Sequence, residues 1–242
     1  MKGLLLDGGL DPGDRISSEG VGRALSISRA PVGDAIRRLT MDGLLEVLPQ
    51  VGVQVVTPVP GEVADFYELF AATEAVIGRL AAARRTPAEA TALRQLLGNL
   101  ASRADLPDDA DARAAELRQR NRRRYERLHE LARSPLSTGI GESFWDRSDF
   151  FLRVAFGRFQ TPRYVAGSYR LVFDAVVDGD AAIAEHEIRQ YLTRLGGDVA
   201  EALAARTTTR WPRAPGVGAA PPPRCVCAGG RRTGEQVVTA TR

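Results

Sequence analysis

The stretch from Leu25 to Leu45, LSISRAPVGDAIRRLTMDGLL, constrains the chain most. Leu25, Val32, Ile36 and Leu39 fall on one side at helical spacing, while Arg29, Gly33 and Arg37, each four residues from the last, share another. Ser26 and Ile27 interrupt the helical pattern before it. Ser28 is placed to accept a backbone N–H at the head of the next helix, with Pro31 in its first turn. The spacing predicts helix, turn, helix, with one face buried and arginine on the other, which suits a helix that reads a DNA groove.

The flanks extend this reading. Met1 to Asp7 reads as a helix closed by Gly8 and Gly9, and Ser18 to Leu25 as a second helix with Val21, Ala24 and Leu25 inward. After Gly43, Leu45 to Leu48 and Val53 to Val56 read as two short strands around Pro49, Gln50, Val51 and Gly52. A hairpin beside a helix-turn-helix makes it a winged one. A glycine at the wing, Gly52, permits close backbone approach to a minor groove.

From Pro60 onward only helical signals occur. Pro60 to Arg85 carries Phe66, Leu69, Phe70, Thr73, Ile77 and Leu80 on one stripe. Thr86, Pro87 and Glu89 form a capping box that starts a new helix, and Asp109 to Arg133 makes the next. The arginines from Arg118 to Arg127 read as a solvated face of that helix. Ser134-Pro135 and Thr161-Pro162 each read as a cap and first turn, and Gly179-Asp180 separates the last two helices. The final helix, Ala181 to about Ala205, should bury Ile188, Leu192, Leu195, Val199 and Leu203, with Gly196 and Gly197 each costing it roughly 1 kcal/mol relative to alanine. The predicted fold is therefore mostly α. A winged helix-turn-helix occupies residues 1–58, an all-helical bundle 60–205, and a Pro-, Gly- and Arg-rich tail, expected to be disordered, 206–242.

Charge needs dividing before it is used. Seven of the arginines and one acid, Glu235, lie between Arg206 and Arg242, so the formal charge of +3 becomes −3 once that tail is set aside. Six basic residues face seven acidic ones from Met1 to Pro58, so net charge alone does not predict nucleic-acid binding there. Cys225 and Cys227 are the two cysteines, which excludes a disulfide framework and makes a zinc site improbable. No run of about eighteen apolar residues occurs. The expectation is a cytoplasmic protein without a membrane anchor. No nucleophile, base and oxyanion set points to an enzyme.

Leu25 to Leu45 resembles the recognition element of the GntR family of bacterial transcription regulators, S-R-x-P-V-R-x-A-L-x-x-L-x-x-x-G-L. It stands here as Ser28, Arg29, Ala30, Pro31, Val32, Gly33, Asp34, Ala35, Ile36, then Leu39, Gly43 and Leu44. The family's second arginine is replaced by Gly33. Glu19 lies where some relatives carry a DNA-contacting arginine. LDPGDRIS is similar to the family's L-x-P-G-x-x-L segment, and the helix before it is shorter than usual. The resemblance implies DNA contacts from Ser28, Arg29, Ala30, Pro31, Gly33, Arg37 and Gly52.

The helical part resembles the FCD effector domain of the FadR-type branch. Glu74 stands at its usual glutamate, with Phe70 where an arginine is common. YERLHELARSPL is similar to F-H-x-x-L-x-x-x-A-x-N-P, read with Tyr125 for phenylalanine and Glu126 for histidine. Tyr169 and Tyr191 stand at two later histidine positions. In many members an aspartate and three histidines hold a divalent metal, and the four matching positions here read as Arg122, Glu126, Tyr169 and Tyr191. Such a set is a poor metal site, since a phenol must lose its proton near pH 10 to ligate.

No metal or other cofactor is expected. Phe70, Glu74, Arg122, Glu126, Tyr169 and Tyr191 are instead expected to bind a metal-independent effector such as an organic acid. Glu126, Tyr169 and Tyr191 read equally well as a polar patch in a core that has lost its ligand site, and His129 as a structural histidine. The resemblance implies a homodimer on a near-palindromic double-stranded operator, controlled by a small molecule. The alternative is an effector- or partner-binding protein that no longer reads DNA specifically.

Overall fold

The computed structural model describes residues 1–50, 52–101, 106–160, 162 and 164–210. The elements run α1 (Lys2–Leu6), β1 (Arg15–Ile16), α2 (Ser18–Leu25), α3 (Arg29–Met41), β2 (Leu45–Leu48) and β3 (Gly52–Val55). There follow α4 (Pro60–Arg84), α5 (Pro87–Ala101), α6 (Ala110–Ala132), α7 (Pro135–Phe156), α8 (Tyr164–Asp178) and α9 (Ala181–Arg210). The mostly α architecture with an N-terminal winged helix-turn-helix is thus the one expected.

Three details of the winged part differ. The sheet has three antiparallel strands in the order β1-β3-β2, because Arg15 and Ile16 pair with Gln54 and Val53. A two-residue strand carries too little alternation to announce itself. Ser28 occupies the N-cap of α3 but its side chain caps nothing, whereas Ser17 accepts from the Gly20 N–H at 3.1 Å at the head of α2. β3 begins at Gly52, one residue before the expected start, with φ +106°, a conformation that favours glycine. Val32, Ile36 and Leu39 are buried with Leu44 and Val55 in the small core, as the helical spacing requires.

α4 is the axis of the bundle. Its buried surface is wider than the expected stripe: Val63, Tyr67, Phe70, Ala71, Glu74, Ala75, Ile77, Gly78 and Ala81 are all buried. Leu69, on that stripe, is 58% exposed. A helix surrounded by α6, α7, α8 and α9 has little solvent face to mark, so periodicity underestimates it. The capping box forms as read: the Thr86 N–H donates to Glu89 Oε2 at 2.7 Å, and the Glu89 N–H donates to Thr86 Oγ1 at 3.3 Å. Those bonds and the Arg133 guanidinium hold the Glu89 carboxyl down at about 2.

α9 buries the five residues expected of it and continues to Arg210, so the first five residues assigned to the tail are helical. The rest of that tail, with both cysteines, lies outside the described residues. Gly196 does more than weaken α9. A Cβ there would overlap the Cβ and ring of Tyr67, which α4 holds too close to its own backbone to swing aside. Gly197, by contrast, faces open space. Gly196→Ala should therefore destabilise the fold by up to about 2 kcal/mol, crowding of about 1–3 kcal/mol offsetting a helix gain of about 1 kcal/mol. Gly197→Ala should raise the thermal midpoint. If both substitutions raise it, α4 and α9 do not approach this closely.

Candidate functional site

The residues expected to contact DNA lie on the solvent side of α3. Ser28, Arg29, Ala30, Pro31, Gly33 and Arg37 are all exposed, and so is Gly52 on the wing. The Arg29 side chain is 81% exposed and sits 4.0 Å from Glu19, which also takes a bond from Arg23 at 3.2 Å. Glu19 thus lies between two arginines. Arg37 is bonded to Asp34 one turn back. Surface pairs of this kind are worth at most about 1 kcal/mol and can open for a phosphate or a base. Nothing lies within 4 Å of a Cβ built on Gly33, so the missing arginine leaves open space on the exposed face.

In the bundle, the structure regroups the residues read as a ligand set. Tyr169 and Tyr191 come together, their ring centroids 5.6 Å apart, but Arg122 and Glu126 do not join them. Their partners are one residue earlier on α6. The Tyr169 hydroxyl donates to Asn121 Oδ1, and the Tyr125 hydroxyl donates to that of Tyr191 at 3.0 Å. The signal for this register was present in the sequence. Aligned without a gap, F-H-x-x-L-x-x-x-A-x-N-P puts Tyr125 at the histidine, then Leu128, Ala132, Ser134 and Pro135 at the following positions. The polar pocket set is accordingly Asn121, Tyr125, Tyr169 and Tyr191. These groups do not fit a divalent metal. Burial pushes all three phenols above their ordinary range, and an amide oxygen brings no charge to offset a cation.

Phe70 is a core residue, in edge contact with Trp145 at 4.9 Å between centroids. Glu74, fully buried, accepts from Trp145 Nε1 at 3.2 Å and lies 2.9 Å from His129 Nε2. His129 therefore has a partner that sequence spacing could not assign, since 55 residues separate the two. Gly141 of α7 makes room for this pair, because a Cβ there would strike the His129 ring.

Arg122 does not pair with Glu126. Its guanidinium donates to Asp146 Oδ1 at 2.7 Å and to Asp149 Oδ2 at 3.0 Å, while Lys2 Nζ of α1 reaches Asp146 Oδ2 at 2.6 Å. Burial pushes the Asp149 carboxyl up to about 6 despite Arg122, and its Oδ1 has no hydrogen-bond partner among the described residues. α7 carries a row of such ties to the winged part. Arg147 bonds the Asp42 carbonyl, and Arg153, 5% exposed, donates to the Leu10 carbonyl at 2.8 Å. Arg118 donates to Asp7 at 2.7 Å, and Arg124 donates to the Leu100 carbonyl at 3.0 Å and lies over Tyr169. The arginine run of α6 is therefore largely structural, a correction to its reading as a solvated face. Arg120 and Arg127 find Glu116 and Glu130 on α6 itself, whereas Arg118 and Arg122 depend on acids that the fold brings from elsewhere.

Between α6 and the first half of α7 lies a cavity of about 700 Å³, with Tyr125, His129 and Trp145 among its lining and Arg122, Glu126, Glu130, Arg133 and Glu142 around them. A second, of about 350 Å³, shares Arg122, Glu126 and Glu142 and adds Lys2 and Asp42 from the winged part. The organic-acid expectation loses its basis here. Arg122 is committed to two aspartates, and the tyrosine hydroxyls bond elsewhere in the core.

Comparison with known proteins agrees with this architecture. A model of the FCD domain matches residues 65–194, and one of bacterial regulatory proteins of the gntR family matches residues 1–55. An uncharacterized HTH-type transcriptional regulator of Streptomyces ambofaciens is 27% identical over 78% of both chains. The Nta operon transcriptional regulator of Aminobacter aminovorans is 35% identical over 36% of this chain and 41% of its own length. An HTH-type regulator of Agrobacterium vitis is 37% identical over 29% of this chain, which spans 42% of that relative's length. Among solved structures, Escherichia coli McbR/YncC superposes with a TM-score of 0.62 at 20% identity, covering 86% of this chain and 92% of that one. A putative GntR regulator from Rhodococcus sp. RHA1 gives 0.64 at 20% identity over 84% and 94%. With the FCD model covering more than half of its length, the chain belongs to the gntR family of bacterial transcriptional regulators, as a member that carries an FCD domain behind its winged helix.

Proposed function

We propose that the protein is a cytoplasmic homodimer that binds a near-palindromic DNA operator through α3 and the wing, and whose affinity is set by a small effector in the bundle. The observation that carries this is the row Arg29, Gly33 and Arg37 on the exposed face of α3, beside an exposed wing at Gly52. Two such heads related by a twofold axis would read two half-sites. The effector site in this reading is the α6–α7 cavity. Glu126 meets the ligand beside Arg122, while Phe70, Glu74, Tyr169 and Tyr191 pack behind the Trp145, His129 and Tyr125 side chains of the lining. Its second chamber reaches Lys2 and Asp42, so a ligand there touches the ties between bundle and winged part. Ordinary coupling between two such sites is about 1 to 3 kcal/mol.

The test is fluorescence anisotropy of the full chain against DNA from upstream of its own gene. A nanomolar site that resists competitor DNA is expected, weakening with salt at a log-log slope of about −0.9 per phosphate contact. Uniformly weak binding to every sequence would leave a sensor that no longer reads DNA, the outcome that Gly33 and Glu19 would then explain.

A further inference from the structure

Glu126 and Glu142 line both chambers of the α6–α7 cavity, and neither has an ion-pair or hydrogen-bond partner among the described residues. The cations around them are committed elsewhere. Arg122 is held by Asp146 and Asp149, and Arg133 donates to both Glu89 oxygens at 2.6 and 2.8 Å. One ammonium already enters this acidic end: that of Lys2, seated on Asp146 with its side chain still 51% exposed. Deeper in, His129 is 5% exposed, and among the described residues only its Nε2 has a partner. Beside it lie the Tyr125 and Trp145 rings, 3.9 Å apart between centroids and tilted by 37°.

We propose that this cavity binds an organic cation, a small amine with an apolar or aromatic body, whose ammonium sits at Glu126 and Glu142 and competes with that of Lys2. The inference rests on reading the cavity as the effector site, and names the class of effector. Charge decides the class, because two unneutralised carboxylates in a partly enclosed cavity repel an anion and attract a cation more strongly than they would in open water. Pro135 on the lining, with the Tyr125 and Trp145 rings behind it, gives the body of the ligand an apolar side. Lys2 belongs to α1, so an amine that lowers its hold on Asp146 loosens one tie of the winged part. By linkage, DNA binding and amine binding then alter each other by the same factor.

Isothermal calorimetry on the full chain with benzylamine and hexylamine, against the matched acids benzoate and hexanoate, tests this directly. The amines should bind at least tenfold more tightly than the acids. The double variant Glu126→Gln/Glu142→Gln should lose that preference while keeping its melting midpoint, since both residues are exposed. Lys2→Gln should tighten amine binding several-fold by removing the competing ammonium, a result that general attraction to a negative surface would not give. Acids that bind as well as the amines, amine binding indifferent to the double variant, or no binding of any of the four overturns the proposal. Calorimetry uses no DNA, so the two readings fail separately. Amine binding that leaves the operator complex unchanged sinks the regulatory reading alone, and acid binding that releases the operator sinks only the choice of a cation.

Discussion

Arg122→Met is expected to destabilise the fold more at pH 7 than at pH 5, by about 1 kcal/mol. Arg122 is the cation bonded to Asp149, which is 1% exposed, so its removal leaves a buried carboxyl that can lower its cost by taking up a proton. The pH dependence follows from the direction of the shift. Asp149 titrates at about 6 in the folded chain, above its ordinary 3.8, so the folded state holds a proton that the unfolded chain releases. Its contribution leaves stability untouched below about pH 4 and lowers it by about 3 kcal/mol as the pH rises through 6. Without Arg122, which lowers that value, the carboxyl stays protonated to higher pH still, and at pH 5 the variant buries a neutral acid. Urea unfolding followed by circular dichroism at the two pH values measures the gap. An equal gap at both would mean that the loss is packing and not charge.

Gly33→Arg is expected to tighten binding to a family-type half-site by about 5- to 150-fold, equivalent to 1 to 3 kcal/mol for one bidentate arginine on guanine. The exposed face of α3 has room for the side chain, and replacing a mid-helix glycine also favours the helix. A neighbouring charge does not block it, because Glu19 lies against Arg23 and Arg29. Anisotropy titration of wild type and variant on the same DNA reads the effect. No gain would mean that Gly33 does not face a base pair, and the docking of α3 would need to be redrawn.

The one-residue shift on α6 shows how a motif can be legible and still be misplaced. Tyr125 and Glu126 are adjacent, so a gap of one in matching the segment turned the assignment by about 100° around the helix. That turn moved it from the core side to the exposed side. Burial then separates them, Tyr125 being fully enclosed and Glu126 exposed. Glu74 and His129 illustrate the opposite case. Each reads alone as an isolated polar residue, and the pairing exists only because α4 and α6 lie side by side.

The helix-turn-helix, the wing hairpin, the capping box at Thr86 and the helical character beyond Pro60 are legible from residue order alone. Each of these is a local matter of apolar spacing, turn residues or caps within a few positions. Tertiary structure decided which faces of α6 and α7 look inward, and so which arginines find acids, which tyrosines meet, and where the cavity lies. Those outcomes depend on groups far apart in the chain, as in Lys2 with Asp146 and Tyr67 with Gly196. Local propensity carries no information about such partners. Only close packing of whole helices, where one methyl or one unpaired charge costs about 1 to 5 kcal/mol, selects them.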